Sequence, residues 1–287
     1  MRKEIKNMTF DAERSLYNLT GADVTDCIFG GPADGESVLK ECRDVNISGS
    51  SFALRYPLWH AQRFSLSDSY LDSKTRAPIW YASDGKLSGC TIDGIKTLRE
   101  CKNIEIDRCS VRSPEFGWRC SDIRITSSVI ESEYFMFESK NIDISRLRMS
   151  GKYSFQYVEG MCVDDSYFDT KDAFWHSENV TVKNSVLKGE YLGWYSDGLT
   201  LINCRISGTQ PLCYCKNLRL INCTMQGCDF AFEYSDVEAD IRGHIDSVKN
   251  PASGRINADS AGEIILKDAV TECLAEINIP SVTGGMG

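Results

Sequence analysis

Apolar residues recur along the chain with a period of 19 positions. In the middle of the sequence, eight of them follow one another at this interval without a gap: Leu87, Ile106, Ile125, Ile144, Val163, Val182, Leu201 and Leu220. A second apolar residue stands two positions before most of these, as Ile104 does before Ile106, and alternation with a period of two is typical of a strand with one buried face. Each repeat therefore begins with a short β-strand.

Each repeat continues through a small residue into a second strand. Ser or Cys stands three positions after the reference residue and another apolar residue five after it, as in Ile106, Cys109 and Val111. Asn, Asp or Gly precedes the first strand, in CKN, CSD, SKN, SEN and SDG, and these residues tolerate the left-handed backbone of a tight corner. A further corner holds stacked amides that can hydrogen-bond between repeats: Asn184, Asn203 and Asn222.

The third strand of the repeat is aromatic. Its aromatic residues stand twelve positions after the reference residue: Trp59, Trp118, Phe137, Trp175, Trp194 and Phe232. We expect this column to point into the core. Each period has three short strands and all repeats run in the same direction, which predicts an all-β, right-handed parallel β-helix. No 3.6-residue pattern persists, which argues against helical repeats, and no six-residue subperiod persists, which argues against a left-handed β-helix.

The repeat also predicts the organisation of the chain. About 12 rungs, each one period long, form the β-helix in residues 22–245. An open end of a β-helix exposes apolar surface and unpaired strand edges, so we expect caps. Residues 1–21 are the predicted N-terminal cap, and residues 246–287 are the C-terminal cap and tail, with a disordered TGGMG at the end.

The thirteen cysteines are predicted to be packing residues. Nine of them fall in two inward columns: Cys42, Cys101, Cys120 and Cys215 in one, and Cys27, Cys90, Cys109, Cys204 and Cys223 in the other. An odd number in a chain of 287 residues argues against a disulfide framework, and a free Cys packs as a small hydrophobe. A zinc site between neighbouring thiols is the alternative, but the columns continue through Ser and no Cys-x-x-Cys spacing recurs with His, so neither metal nor cofactor is predicted.

Charge and hydropathy limit the classes of partner that the protein can bind. The net charge of −9, with scattered basic residues, argues against nucleic acid as a partner. No run approaches the roughly 18 apolar residues of a membrane span, and no apolar stretch follows the basic residues of MRKEIKNMTF. We therefore expect a cytoplasmic protein with no membrane partner; the oligomeric state stays open.

The rung pattern of residues 22–245 resembles that of the pectate-lyase-like superfamily of β-helix proteins. It also resembles bacterial β-helix proteins assigned only as domains of unknown function. The first resemblance implies a polysaccharide lyase, a glycoside hydrolase or an epimerase that grips a sugar chain along one face. Of the motifs of polygalacturonase-like members, the chain has the pair Asp164 and Asp165 but neither GHG nor RIK.

Two outward columns of the third strand are the candidate site. Aromatic rings beside carboxylates and an imidazole suit stacking on sugars and acid–base work. We predict Asp172 and His176 as catalytic residues, both pointing to solvent and, at roughly 13 Å apart along one strand, too distant to form a hydrogen-bonded dyad. The predicted ligand-binding residues are Tyr153, Tyr157, Tyr191, Tyr195, Glu138 and Arg119.

The sequence thus predicts binding or processing of a carbohydrate along the outer face of the third strand, and leaves open whether the protein is an enzyme. A neutral glycan is the expected ligand, because the net charge of −9 would repel a polyuronate unless calcium bridged the two. The alternative is a non-catalytic structural, assembly or protein-interaction scaffold. Tyr and His also have high β propensity, so their columns can arise without any ligand.

Overall fold

The computed structural model describes residues 2–284, and within that range it holds strands and turns. The predicted all-β class is confirmed, as a parallel β-solenoid. The chain divides into two compact units, Met1–Arg148 and Met149–Gly287. Among the residues described, no helix is long and apolar enough to cross a membrane. The last three residues of the predicted tail, 285–287, lie outside the described residues.

The strands of the first unit are short. They are β1 (Lys3–Lys6), β2 (Thr9–Phe10), β3 (Thr20–Thr25), β4 (Ile28–Phe29), β5 (Arg43–Ser48), β6 (Ser51–Phe52), β7 (Gln62–Ser67), β8 (Tyr70–Leu71), β9 (Ser83–Ser88), β10 (Thr91–Ile92), β11 (Thr97–Arg99), β12 (Lys102–Asp107), β13 (Ser110–Arg112), β14 (Glu115–Trp118), β15 (Ser121–Thr126), β16 (Val129–Ser132), β17 (Tyr134–Phe135) and β18 (Lys140–Ser145). Strand β19 (Arg148–Lys152) starts at the last residue of this unit.

The second unit has the same repeat and ends in longer strands. They are β20 (Glu159–Asp164), β21 (Tyr167–Lys171), β22 (Glu178–Lys183), β23 (Val186–Lys188), β24 (Thr200–Ile202), β25 (Arg205–Ser207), β26 (Leu218–Met225), β27 (Asp236–Lys249), β28 (Ser253–Ile265) and β29 (Glu276–Asn278).

Strands pair in parallel with their counterparts one turn away. Ile106 lies opposite Ile125 in the first unit, and Val163 lies opposite Val182 in the second, so the period of the sequence is the register of the sheets. Within residues 2–284 the parallel strand pairing repeats over about 15 turns, compared with the predicted 12. The count is higher because β1, within residues 1–21, and β28 and β29, within residues 246–287, pair in parallel like the turns between them.

The inward columns form the core. The reference residues are almost fully buried, as are the cysteines of the two small-residue columns. Eleven of the thirteen cysteines are buried, which confirms the predicted burial. Their thiols contact main-chain oxygens, as Cys204 Sγ does with the carbonyl of Val182 at 3.4 Å. Burial raises the pKa of Cys42 and of Cys228 to about 12.

The corners have the left-handed backbone that the sequence predicted. Asn103, Asp122 and Asn141, which open successive turns of the first unit, have φ angles of 54°, 58° and 53°. In the second unit, Asn203 Nδ2 donates to Asn184 Oδ1 at 3.0 Å and Asn222 Nδ2 donates to Asn203 Oδ1. The predicted amide ladder is therefore confirmed.

The tryptophan column does not point into the core, contrary to the prediction. Trp118, Trp175 and Trp194 are half-buried at the surface, whereas the fully buried rings are Phe116, Phe135, Phe155 and Phe174, one or two positions earlier in their turns. An indole carries an N–H that needs an acceptor, which it reaches from the surface: Trp194 Nε1 donates to the carbonyl of Gln210 at 2.7 Å. Of the predicted column, Phe232 is fully buried.

Candidate functional site

A column of stacked rings lies on the surface of the second unit. We call it the aromatic ladder; it consists of Tyr157, His176, Tyr195, Tyr214 and Tyr234. The centres of successive rings are 5.2, 5.0, 4.9 and 5.8 Å apart, and the first three pairs are within 13° of parallel. Tyr157 and Tyr195 keep 49% and 45% of their surface exposed. The structure thus brings three predicted site residues, Tyr157, His176 and Tyr195, into direct contact.

The ladder follows a corner of the solenoid. All five residues have left-handed backbone, with φ angles between 50° and 59°. An L-residue in this region costs on the order of 1 kcal/mol, and a stacked aromatic pair contributes a similar amount. Because one bend per turn places one such residue above the next, the spacing of the rings is that of the turns.

A pair of indoles supports the ladder from behind. Trp175 and Trp194 stack with ring centres 5.7 Å apart and planes 3° apart. Both N–H groups are bound to main-chain carbonyls, Trp175 to Tyr191 at 3.1 Å and Trp194 to Gln210 at 2.7 Å. Trp194 also meets the rings of Tyr195 and Tyr214 edge to face. The indoles therefore fix the position of the middle of the ladder.

Asp172 belongs to the neighbouring column and does not point freely to solvent, contrary to the prediction. It is 8% exposed, while His176 is exposed as expected. In successive turns the column holds Tyr153, Asp172 and Tyr191, all with left-handed backbone. These three residues are one period apart and so lie in line, and Tyr191 packs its ring on Trp194 at 5.2 Å.

The surroundings of Asp172 raise the pKa of its carboxyl. Burial raises the pKa of the Asp172 carboxyl above its ordinary value, and the negative charge of Glu190 raises it further, while Lys171 acts in the opposite direction. An isolated carboxylate loses hydration when it is covered, so the neutral acid is favoured. This is the direction that suits a general acid.

Arg119 and Glu138 lie in the first unit, where they neutralise each other. Arg119 Nε is 2.8 Å from Glu138 Oε2, and Arg119 Nη1 is 3.8 Å from Glu100 Oε1. Three successive turns of that unit thus hold an acid–base–acid stack at the corner that carries rings in the second unit. The first unit has one stacked pair of rings at this corner, His60 and Tyr81, with centres 5.0 Å apart.

Sequence reasoning left Tyr214 out of the predicted site and missed Tyr234 altogether. The 19-residue period does not include Tyr234 in this column, because Tyr234 follows Tyr214 by 20 positions. The turn is longer by one residue within 225–228: the amide of Gly189 bonds to Ser207, 18 positions on, but that of Gly208 bonds to Gly227, 19 positions on. Gly227 in the sequence, with a φ of 80°, was the available signal for an irregular turn.

The ladder presents ring edges and not ring faces. Neighbouring rings cover each other's faces, so phenolic O–H groups and the imidazole edge are what a ligand meets. Such an edge can donate and accept hydrogen bonds at regular intervals of about one turn. In the described part of the chain, no group of three or more His, Cys, Asp or Glu side chains is placed to hold a metal ion.

Comparison with known proteins identifies a family and no activity. The family model described as "Protein of unknown function (DUF3737)" matches residues 3–278. No protein with a curated description matches the chain.

Among solved structures, a mutant of the periplasmic alginate epimerase AlgG is 8% identical, with a TM-score of 0.27 over 91% of this chain and 77% of that one. QnrB1, a plasmid-mediated fluoroquinolone resistance protein, is 12% identical, with a TM-score of 0.15 over 83% and 90%. Scores this low carry no argument about the site.

Proposed function

Because the chain belongs to the DUF3737 family of proteins of unknown function, we propose a function from its own surface: the second unit binds an extended neutral glycan along the aromatic ladder. The observation that supports this most is a row of four stacked, polar-edged rings at separations of 4.9 to 5.2 Å, of which Tyr157, His176 and Tyr195 are exposed and Tyr214 is half-buried. This repeat is comparable to the length of one sugar residue in an extended chain. Each ring edge can then meet one sugar.

The mode of contact is hydrogen bonding to sugar hydroxyls, with ring carbon atoms packing beside them. Stacking of sugars flat on the rings, as the sequence suggested, is limited because each inner ring is covered on both faces by its neighbours. Tyr hydroxyls and the imidazole both donate and accept, as sugar hydroxyls do. The net charge of −9 favours a neutral chain over a polyuronate.

Asp172 and His176 remain the proposed acid and base if the bound glycan is also cleaved. The raised pKa of Asp172 suits protonation of a leaving oxygen, but with 8% exposure its carboxyl reaches the surface only at its margin. We therefore propose binding as the primary function. Cleavage of the bound glycan would be detected as new reducing ends. If these ends form with the natural chain and not with Asp172→Asn, the protein is also an enzyme.

A binding experiment tests the ladder directly. A glycan array selects the ligand, and calorimetry then compares neutral oligosaccharides of two to six sugars with a polyuronate of the same length. We expect affinity to rise with length up to about four sugars, because the regular part of the ladder has four rings. Tyr195→Phe removes one hydroxyl and should weaken binding roughly fivefold, the equivalent of about 1 kcal/mol. His176→Ala should weaken it further.

The first unit supplies the matched control. Tyr81 stacks on His60 at the same corner and is 39% exposed, but that stack is two rings long, so Tyr81→Ala should leave the affinity unchanged. If no array glycan binds, if affinity does not depend on chain length, or if Tyr81→Ala matches the loss seen in His176→Ala, the ladder is not the binding surface.

A further inference from the structure

The two terminal turns carry opposite charge and complementary strand edges. Strand β1 pairs with β3 on one edge, and in the described part of the chain no strand lies on its other edge. Strand β29 pairs with β28 and likewise has no strand on its other edge within residues 2–284. All these pairings are parallel, so within residues 2–284 the edge of β1 that faces away from β3 and the edge of β29 that faces away from β28 carry no strand. An exposed edge of this kind is a template for a further strand.

The charges of the two edges differ in sign. Around β1, the exposed bases Arg2, Lys3 and Lys6 stand against two acids, the exposed Glu4 and Asp23, which is paired with Arg2 at 2.8 Å, and this leaves a net charge of +1. In residues 266–278, the acids outnumber the single basic residue Lys267 and leave a net charge of −2; they are Asp268, Glu272 and Glu276, all exposed. Opposite charge on two surfaces steers them together and disfavours contact between like ends.

Both edges also expose apolar side chains. Beside β1, Met8 and Tyr17 are each 49% exposed. Before β29, Val270 and Leu274 are 89% and 70% exposed, and Leu266 is 44% exposed. Exposed apolar side chains near an open strand edge are a feature of protein interfaces.

The inward columns match across such an interface. Ile277 of β29 lies opposite Ile256, and Ile5 of β1 lies opposite Val24, so each is the inward residue of its strand. If β1 of a second copy lay beside β29, with Ile5 opposite Ile277, the parallel ladder and the inward column would both continue. Two β29 edges could meet only in antiparallel fashion and with like charges opposed.

From these observations we propose that the protein associates head to tail, the β1 edge of one copy docking on the β29 edge and the 266–275 loop of the next. The occupant is a second copy of this chain. The interface is heterologous, so association gives a series of oligomers and not a closed dimer.

Sedimentation velocity on the full chain tests the association. At about 100 µM protein and about 0.05 M salt we expect an average mass that rises with protein concentration through trimer and beyond. About 0.5 M salt should reduce it, because exposed charges are then screened. A chain that stays monomeric under the first condition, or stops at dimer, overturns the proposal.

Charge reversal makes the test specific to the two ends. The pair Lys3→Glu and Lys6→Glu gives the β1 edge a net charge of −3, and the pair Glu272→Lys and Glu276→Lys gives the β29 edge a net charge of +2. Each double variant alone should associate at least tenfold more weakly than the natural sequence, since its two ends now repel. An equimolar mixture of the two should regain association, because every head then finds a tail of opposite charge.

A matched control separates this from a general effect of charge. Lys183→Glu with Lys216→Glu makes the same change in net charge at exposed positions away from both edges, and should associate like the natural sequence. Val270→Ser with Leu274→Ser tests the apolar contribution without a change of charge, at positions that are 89% and 70% exposed, and should also weaken association at least tenfold. If the control loses association equally, or the mixture fails to regain it while circular dichroism shows every variant folded, the ends are not the interface.

Discussion

At the scale of single residues, a left-handed corner does not by itself decide whether a side chain is available for chemistry. Asp172 and His176 both sit at such corners, yet Asp172 is 8% exposed and His176 is exposed. A covered carboxylate with a raised pKa makes the native state sensitive to pH.

Asp172→Asn should stabilise the protein at neutral pH. The folded pKa of Asp172 lies above the unfolded value near 3.8. The contribution of the protonated carboxyl to the free energy of unfolding is therefore complete below pH 3.8 and is lost as pH rises through the folded pKa. Asn is neutral, of nearly the same size and tolerant of a left-handed backbone. The melting temperature of the variant should exceed that of the natural chain at pH 7, and the gap should close near pH 3.

Asp44→Asn is the control of opposite sign. Hydrogen bonds from Arg63 lower the pKa of Asp44, so its contribution is present above the unfolded pKa and is lost as pH falls through the folded one. This variant should therefore melt lower than the natural chain at pH 7. If Asp172→Asn also melts lower at pH 7, the Asp172 carboxylate is stabilised by its surroundings and the assigned direction is wrong.

At the scale of elements, each turn is tied to the next by side chains as well as by parallel strands. Amide ladders join the corners, and the indole of a turn donates to a carbonyl of the following one in both units, as Trp59 does to Ala77 and Trp194 to Gln210, each at 2.7 Å. These contacts lie where the strands end and the corners would otherwise be held only by backbone turns. The tryptophans therefore link each turn to the next by a side-chain hydrogen bond.

Trp194→Phe should cost more stability than Trp118→Phe. Both changes shorten a half-buried ring and remove an N–H, but the bond of Trp194 to Gln210 is 2.7 Å long, whereas that of Trp118 to Tyr134 is 3.4 Å. A good hydrogen bond contributes about 1 kcal/mol, so the two free energies of unfolding should differ by roughly that amount. Urea titration measures both. Equal losses of unfolding free energy in the two variants would mean that ring packing, and not the hydrogen bond, accounts for the stabilisation.

At the scale of the whole molecule, the repeat makes stability a sum over neighbouring turns. Each turn of a unit contacts chiefly the turns before and after it, with its strands offset by one period from theirs. In such proteins a repeat can be removed if its neighbours then fit each other. The registers of the strands, and not the identity of one turn, hold the structure together.

Removal of residues 102–120 from the first unit should leave a folded protein. This segment is one complete period, so β15 would take the place of β12 beside β9 in the same register. Removal of residues 102–119, one residue fewer, places every following side chain of the joined strand on the opposite face. Circular dichroism and urea unfolding should show a cooperative β protein for the first deletion only. Similar behaviour of both deletions would contradict register control.

The repeat and its direct consequences could be read from the sequence alone. The spacing of Ile106 and Ile125 set the strand register, the Asn and Asp residues marked the left-handed corners, and the small-residue columns indicated buried cysteines. All of these depend on contacts between residues one period apart, and periodicity reports those contacts directly. The cytoplasmic location and the glycan ligand stay predictions.

The directions of the corner and third-strand side chains emerged only in the folded chain. Alternation assigns inward and outward faces within a strand, but a left-handed corner breaks the alternation, so counting from Ile106 could not place Trp118 at the surface or cover Asp172. The extra residue in 225–228 likewise shifted Tyr234 into the ladder, out of the counted position. Whether rings offer faces or edges depends on their packing against neighbours, which spacing along the chain does not encode.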